Sequence, residues 1–235
     1  MSQTSLNLIA ISIFVMTLAS LLGPLFNLSP TVSAIATFTL LGLATLDSLS
    51  FQGKGNTLLL DWLGSFSPAH RERIVQHEAG HFLVAHLLEI PVSGYTLSAW
   101  EALKQKQSGQ GGVSFDDQKL ASQLEQGTLN SQLLNSYCII WMAGVAAEML
   151  AYGNAEGGAD DRQKIRIVLT KLGFSAAAQE QKQRWAILQA RTLLQANSSA
   201  YQALVKAMQQ RADVSQCCHV INQHCQNSQS GTLAL

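Results

Sequence analysis

The strongest constraint on this chain is the segment RIVQHEAGHFLVAHLL, residues 73–88, an apolar run that carries two histidines and a glutamate. In an α-helix His77 and His81 lie one turn apart on the same face, and Glu78 lies beside them at about 100° around the axis. Burying polar side chains in an apolar helix is costly unless they are paired. The pattern therefore indicates a helix whose polar side chains bind a partner in the interior of the protein.

The ends of this helix are marked in the sequence. Ser67 is a typical N-cap, and Pro68 suits the first helical position. Pro91 cannot continue a helix, so the helix is expected to end near Glu89. The spacing thus predicts one helix that carries the whole polar group.

Two imidazoles at positions i and i+4 can bind one zinc ion from the same face, leaving positions for a third protein ligand and a water. Zinc lowers the pKa of such a water toward about 7, and a neighbouring carboxylate can take its proton as general base. The alternative is a pair of core histidines satisfied by hydrogen bonds. We predict a metal site with His77 and His81 as ligands and Glu78 as the base.

Downstream carboxylates are the candidates for the third ligand. Glu148 is the one acid in the strongly apolar helix predicted over residues 129–153, where it could be a ligand or could orient a zinc-bound imidazole. Asp160 and Asp161 follow two glycines at the start of another predicted helix, where carboxylates also serve as simple caps. Spacing alone leaves these alternatives open.

The N-terminal part is apolar. Residues 1–53 contain no Lys or Arg and one acid, Asp47. Residues 6–28 are long enough for a membrane span, and residues 31–46, about 24 Å as a helix, form a shorter one. We predict a transmembrane helical hairpin over residues 1–50 and a linker over 51–66, with a cleaved signal peptide or a buried helical pair as alternatives. By the positive-inside tendency, the few basic residues that follow predict that both termini face the cytoplasm or its equivalent.

The composition excludes several classes of partner. The 15 basic and 15 acidic residues balance, which argues against a nucleic-acid surface. The sequence GKGNT lacks the glycine and lysine spacing of a phosphate-binding loop, so we predict no nucleotide site in this chain. Four cysteines without regular spacing indicate free thiols in a reducing compartment.

The remaining segments carry weaker patterns. Residues 175–211 have the spacing of a helical pair, and residues 217–225 of a terminal helix with buried thiols. Residues 95–100 are predicted as an edge strand. The glycine-rich residues 108–115 are predicted as a loop over the cleft.

Four runs, HEAGHFLVAHLL, PVSGYTL, MAGVAAEMLAYG and GGADDRQKI, resemble in this order the zinc peptidase domain of the FtsH-type membrane proteases, over roughly residues 67–211. The resemblance implies Zn²⁺ held by His77, His81 and Asp161, with Glu78 as catalytic base. Glu148 matches the acid of the family's Ala-Glu helix. The aspartate run is one residue shorter here than in the family, which keeps Asp160 as an alternative ligand.

The resemblance also implies a fold and a function. We expect a mainly α protein, with a helical peptidase domain and a small β element over residues 67–213 and a C-terminal tail over 214–235. The expected activity is that of a zinc-dependent endopeptidase hydrolysing membrane or unfolded proteins by Glu-assisted attack of a zinc-bound water. Without the family's ATPase module, the sequence resembles short relatives, known mainly from photosynthetic organisms, that keep a membrane segment and the peptidase part only. ATP dependence would then need a partner, in a homo-oligomer or a hetero-oligomer with FtsH-type proteases. The alternative is a membrane scaffold of such complexes with a structural zinc.

Overall fold

The computed structural model describes residues 67–98, 101 and 112–230, with the backbone alone for 226–230, and scattered residues between 10 and 39. The chain divides into two compact units, Met1–Leu60 and Asp61–Leu235. The description below concerns the second unit, which holds the predicted site.

The second unit is mainly helical, as predicted, with one small sheet. Its described part contains seven helices and two strands. In chain order they are α1 (Pro68–Leu87), β1 (Val92–Thr96), β2 (Gly112–Phe115), α2 (Gln118–Glu125), α3 (Ser131–Tyr152), α4 (Ala159–Lys171), α5 (Ala176–Ala196), α6 (Ser198–Gln209) and α7 (Val214–Ser230).

Helix boundaries follow the capping residues. The Ser67 hydroxyl accepts a hydrogen bond from the His70 amide at 3.4 Å, so α1 begins where the sequence predicted. Helix α3 begins after Asn130, whose side chain accepts from the Gln132 amide at 2.7 Å, and it ends at Gly153 in the left-handed conformation, φ 78°. The predicted helical pair over residues 175–211 is α5 and α6.

Helix α3 is the central element of the unit. One apolar cluster packs it against α1 and α6 and includes Phe82, Ile140 and Leu204. A second cluster packs it against α2, α4 and α5 and includes Tyr137 and Ile165. Because α3 is covered on so many sides, it is apolar around its circumference rather than along one stripe.

Helices α1 and α3 approach closely at Gly80. A Cβ on Gly80 would lie 2.7 Å from both the Ala143 carbonyl oxygen and the Ala147 Cβ. The missing side chain therefore lets the two backbones meet, which offsets the cost of about 1 kcal/mol of a glycine inside a helix. This contact brings the histidines of α1 against α3.

The sheet differs from the sequence prediction. Strand β1 covers Val92–Thr96, earlier than the expected strand at 95–100, and pairs antiparallel with β2. The prediction of a loop over residues 108–115 was wrong for Gly112–Phe115, which form β2. Pairing with β1 holds this glycine-rich stretch extended, and local composition does not report such pairing.

The segment predicted as a C-terminal tail contains helix α7. Its side chains Cys217 and Ile221 are fully buried and belong to the apolar cluster around α1 and α3. The thiols of Cys138, Cys217, Cys218 and Cys225 are free, as predicted.

The predicted hairpin over residues 1–50 lies largely outside the described residues. Among the described residues, Ser131–Tyr152 is the one helix long and apolar enough to cross a membrane. Of its most apolar 18-residue stretch, 67% is buried within the domain. The core position of α3 therefore accounts for its apolar composition.

Candidate metal centre

His77, His81 and Asp161 lie together in the interior of the domain. All three are buried, and their ligand atoms lie within 4.8 Å of one another. The two histidines come from successive turns of α1, and Asp161 comes from the first turn of α4. Asp160, the alternative third ligand, is exposed and does not belong to this group.

Hydrogen bonds on the outer nitrogens orient both imidazoles. Nδ1 of His81 lies 2.7 Å from the Ile140 carbonyl oxygen, and Nδ1 of His77 lies 2.7 Å from Oε1 of Glu148. A carbonyl oxygen only accepts, so Nδ1 of His81 carries the proton. In a neutral imidazole this leaves Nε2 with its lone pair, which is the form that binds metals.

The two distances from the Asp161 carboxylate to the imidazoles are those expected around a small cation. Oδ2 of Asp161 lies 3.3 Å from Nε2 of His77 and 3.4 Å from Nε2 of His81. A tetrahedral zinc ion with bonds of about 2.0–2.1 Å holds its donor atoms about 3.3–3.4 Å apart. Two imidazole nitrogens and one carboxylate oxygen are also a donor set that zinc accepts. The group could therefore hold a metal ion.

Glu148 lies behind His77 and is almost fully buried. Burial raises the pKa of its carboxyl. Hydrogen bonds from His77, the Glu156 amide and Arg73 outweigh this and lower the pKa to about 2. The charged carboxylate thus acts on His77 from outside the cluster of three, which is one of the two roles considered from the sequence.

Asp161 lies between one cation, Lys164, and the two histidines. Burial raises its pKa, but His81, His77 and Lys164 outweigh this and hold the pKa well below its usual range. The Lys164 ammonium lies 3.1 Å from Oδ1, the oxygen that faces away from the histidines. Asp161 therefore presents a charged Oδ2 to both imidazoles.

The carboxylates around His77 raise the pKa of its imidazole. Burial lowers its pKa, but Asp161, Glu148 and Glu78 outweigh this and raise the pKa to about 10. Three carboxylates thus favour a positive charge at this position. A metal ion would supply that charge and would displace the proton, so metal binding should weaken as the pH falls.

Glu78 follows His77 on α1 and faces strand β2. Its Oε2 accepts a hydrogen bond from the Val113 amide at 2.9 Å. Its charge is one of those that raise the pKa of His77. The carboxylate is therefore close enough to the cluster to act on it and is fixed in place by the strand.

Two residues that the sequence reasoning did not connect to the site also shape it. Arg73 donates to Glu148 at 2.8 Å and lies one turn before His77, a spacing that could have revealed it. Gly144 of α3 faces the imidazoles, because a Cβ there would lie 2.3 Å from Nε2 of His77. The role of Gly144 becomes visible only in the packing of α1 on α3.

Comparison with protein-family models finds no match for the chain, and comparison with curated proteins finds none either. The candidate centre is therefore defined by its own geometry: two oriented imidazoles, one carboxylate ligand and a neighbouring glutamate.

Proposed function

We propose that the chain is a zinc-dependent endopeptidase that hydrolyses membrane or unfolded proteins. The observation that carries the proposal is the buried group of His77, His81 and Asp161, in which Oδ2 of Asp161 lies 3.3 and 3.4 Å from the two Nε2 atoms, as in a tetrahedral site. Glu78, the residue after the first histidine, supplies a carboxylate beside it. The resemblance of the four sequence runs to FtsH-type peptidase domains supports the same assignment.

When bound, zinc would polarise the peptide carbonyl and acidify an attacking water. The residues of this chain have the following parts in the proposed reaction. Nε2 of His77, Nε2 of His81 and Oδ2 of Asp161 would hold the ion. Glu78 takes the proton of the water and passes it to the leaving amine.

A second function, a scaffold with a structural zinc, is favoured by one observation. The Glu78 carboxylate accepts from the Val113 amide, so it also anchors strand β2. A residue with that task has a reason to be present without catalysis. In this reading the metal pins α1 to α4, and the chain assembles with FtsH-type complexes.

The substitution Glu78→Gln separates the two functions. A glutamine oxygen can still accept from the Val113 amide, but the neutral amide cannot act as a base. We expect the variant to keep its zinc and its unfolding temperature and to lose cleavage of casein, measured with zinc and without ATP. The matched control is Glu72→Gln, because Glu72 is exposed on the same helix.

The outcome assigns the function. Loss of cleavage of about 100-fold or more in Glu78→Gln, with the control active, supports the endopeptidase. Equal cleavage by both variants would refute Glu78 as the base. A zinc-loaded wild-type chain that cleaves nothing would favour the scaffold.

We also propose that residues 1–50 anchor the protein in a membrane, with the peptidase domain on the cytoplasmic side. Residues 1–53 lack Lys and Arg. Among the described residues of this part, Phe14, Leu21, Ile35 and Phe38 are 61–80% exposed, as expected for side chains that face lipid. Resistance to carbonate extraction, with protease protection in sealed vesicles, tests both statements.

A further inference from the structure

Arg73 is a largely buried cation next to the candidate metal centre. Its side chain is 17% exposed, and Nη1 donates to Oε2 of Glu148 at 2.8 Å. The guanidinium carbon lies 4.3 Å from the centre of the Tyr152 ring, an arrangement typical of a cation–π contact. The side chain is thus held by an acid and an aromatic ring at the end of α3.

We propose that Arg73 is a positioning residue of the metal centre, which fixes Glu148 so that this carboxylate orients His77. The inference rests on the proposed metal site and extends it by one residue. Arg73 touches neither the metal ligand atoms nor a substrate, and it acts through Glu148.

The two carboxylate oxygens of Glu148 have different side-chain partners. Oε1 faces Nδ1 of His77 at 2.7 Å and the Gly157 amide at 3.1 Å. Oε2 accepts from Arg73 at 2.8 Å and from the Glu156 amide at 2.9 Å. Arg73 is therefore the side-chain donor that holds the far oxygen, and with both oxygens held the carboxyl plane cannot rotate away from His77.

Burial makes this ion pair different from a surface pair. The Glu148 side chain is only 2% exposed, so water cannot replace the guanidinium as a partner. Removing one member of a buried pair leaves the other uncompensated. The vacated oxygen of Glu148 would then seek a new donor, and His77 would lose its fixed acceptor.

Arg73 also contacts the segment that leads to the third candidate ligand. Its Nη2 lies 3.4 Å from Oδ1 of Asn154 and 3.4 Å from Oε1 of Glu156. This segment continues through Gly158 into α4 and Asp161. Arg73 thus joins the helix of the two histidines to the connection that delivers the aspartate.

The test measures zinc affinity by chelator competition in four variants of the full chain. These are Arg73→Gln, Glu148→Gln, the double variant, and Arg71→Gln as the control for loss of an exposed cation on the same helix. We expect Arg73→Gln and Glu148→Gln each to weaken zinc binding by about 10- to 100-fold, as for other groups that orient metal ligands. The control should stay within about twofold of wild type.

The double variant shows whether Arg73 acts through Glu148. If it does, adding Arg73→Gln to Glu148→Gln should weaken binding by less than about threefold more. The inference would be overturned if Arg73→Gln weakened zinc binding in the Glu148→Gln chain as much as it does in wild type. It would also be overturned by an Arg73→Gln chain that binds zinc like the control. A wild-type chain that binds no zinc would overturn the proposed function, and this inference with it.

A second variant covers a failure of Arg73→Gln to fold, judged by circular dichroism. Arg73→Lys keeps the charge and one donor toward Glu148, and we expect it to fold and to retain most of the zinc affinity. A folded lysine variant that has lost zinc affinity by 100-fold or more would contradict the proposal, because its cation still faces Glu148.

Discussion

Gly144 makes the sharpest prediction, because α3 passes directly beneath the imidazoles. A Cβ on Gly144 would lie 2.3 Å from Nε2 and 2.4 Å from Cδ2 of His77, and 2.5 Å from Nε2 of His81. Ordinary contacts of this kind begin at 3.4 Å. The substitution Gly144→Ala therefore requires both rings to move by about 1 Å.

The rings have no easy way to move. Turning either one breaks the 2.7 Å hydrogen bond from its Nδ1 to Glu148 or to the Ile140 carbonyl. Zinc sites tolerate deviations of only about 0.2 Å in bond length. We therefore expect Gly144→Ala to weaken zinc binding by at least about 100-fold, a loss of about 2.7 kcal/mol or more.

The effect of Gly144→Ala on the free energy of unfolding should be smaller than its effect on zinc binding. Overpacking costs about 1–3 kcal/mol, and replacing a helical glycine by alanine returns about 1 kcal/mol. The free energy of unfolding, measured in a chelator, should thus change by about 0–2 kcal/mol. Zinc content after dialysis, together with urea unfolding of wild type and variant in chelator, checks both numbers. Zinc affinity within about threefold of wild type would refute the steric reasoning.

Two further predictions concern the carboxylates. Asp161→Asn should lower zinc affinity by about 10-fold or more, because it removes a charged donor. Asp160→Asn should change zinc affinity by less than about twofold. Equal losses for the two variants in chelator competition would contradict the assignment of Asp161. The pKa of Glu148 is lowered from 4.5 to about 2, so the stability it contributes is fully present above pH 4.5 and is lost as the pH falls toward 2. In chelator, wild type should therefore lose unfolding free energy more steeply over this window than Glu148→Gln, and parallel curves would count against the buried charge.

The sequence alone located most of the helices and the polar face of α1. Ser67, Pro68 and Pro91 mark the ends of α1 because capping and proline geometry are local effects. The i and i+4 spacing of His77 and His81 places them on one face in any α-helix. These features depend on residues within a few positions of one another, so the sequence carries them directly.

Strand β2 shows where local pattern was insufficient. Residues 108–115 are rich in glycine and were predicted as a loop, but Gly112–Phe115 pair with β1 and hold Glu78 through the Val113 amide. Strand formation depends on a partner that is distant along the chain. The composition of the segment could not report that partner.

The choice between Asp160 and Asp161 was likewise decided by the tertiary structure. The two residues are neighbours on α4, and their side chains point about 100° apart, so the rotation of α4 against α1 determines which one meets the histidines. Asp161 is buried against them, and Asp160 is exposed. The sequence thus determined which residue types could form a metal site. The packing of α1, α3 and α4 decided which of them meet, because distances between helices depend on contacts across the whole core.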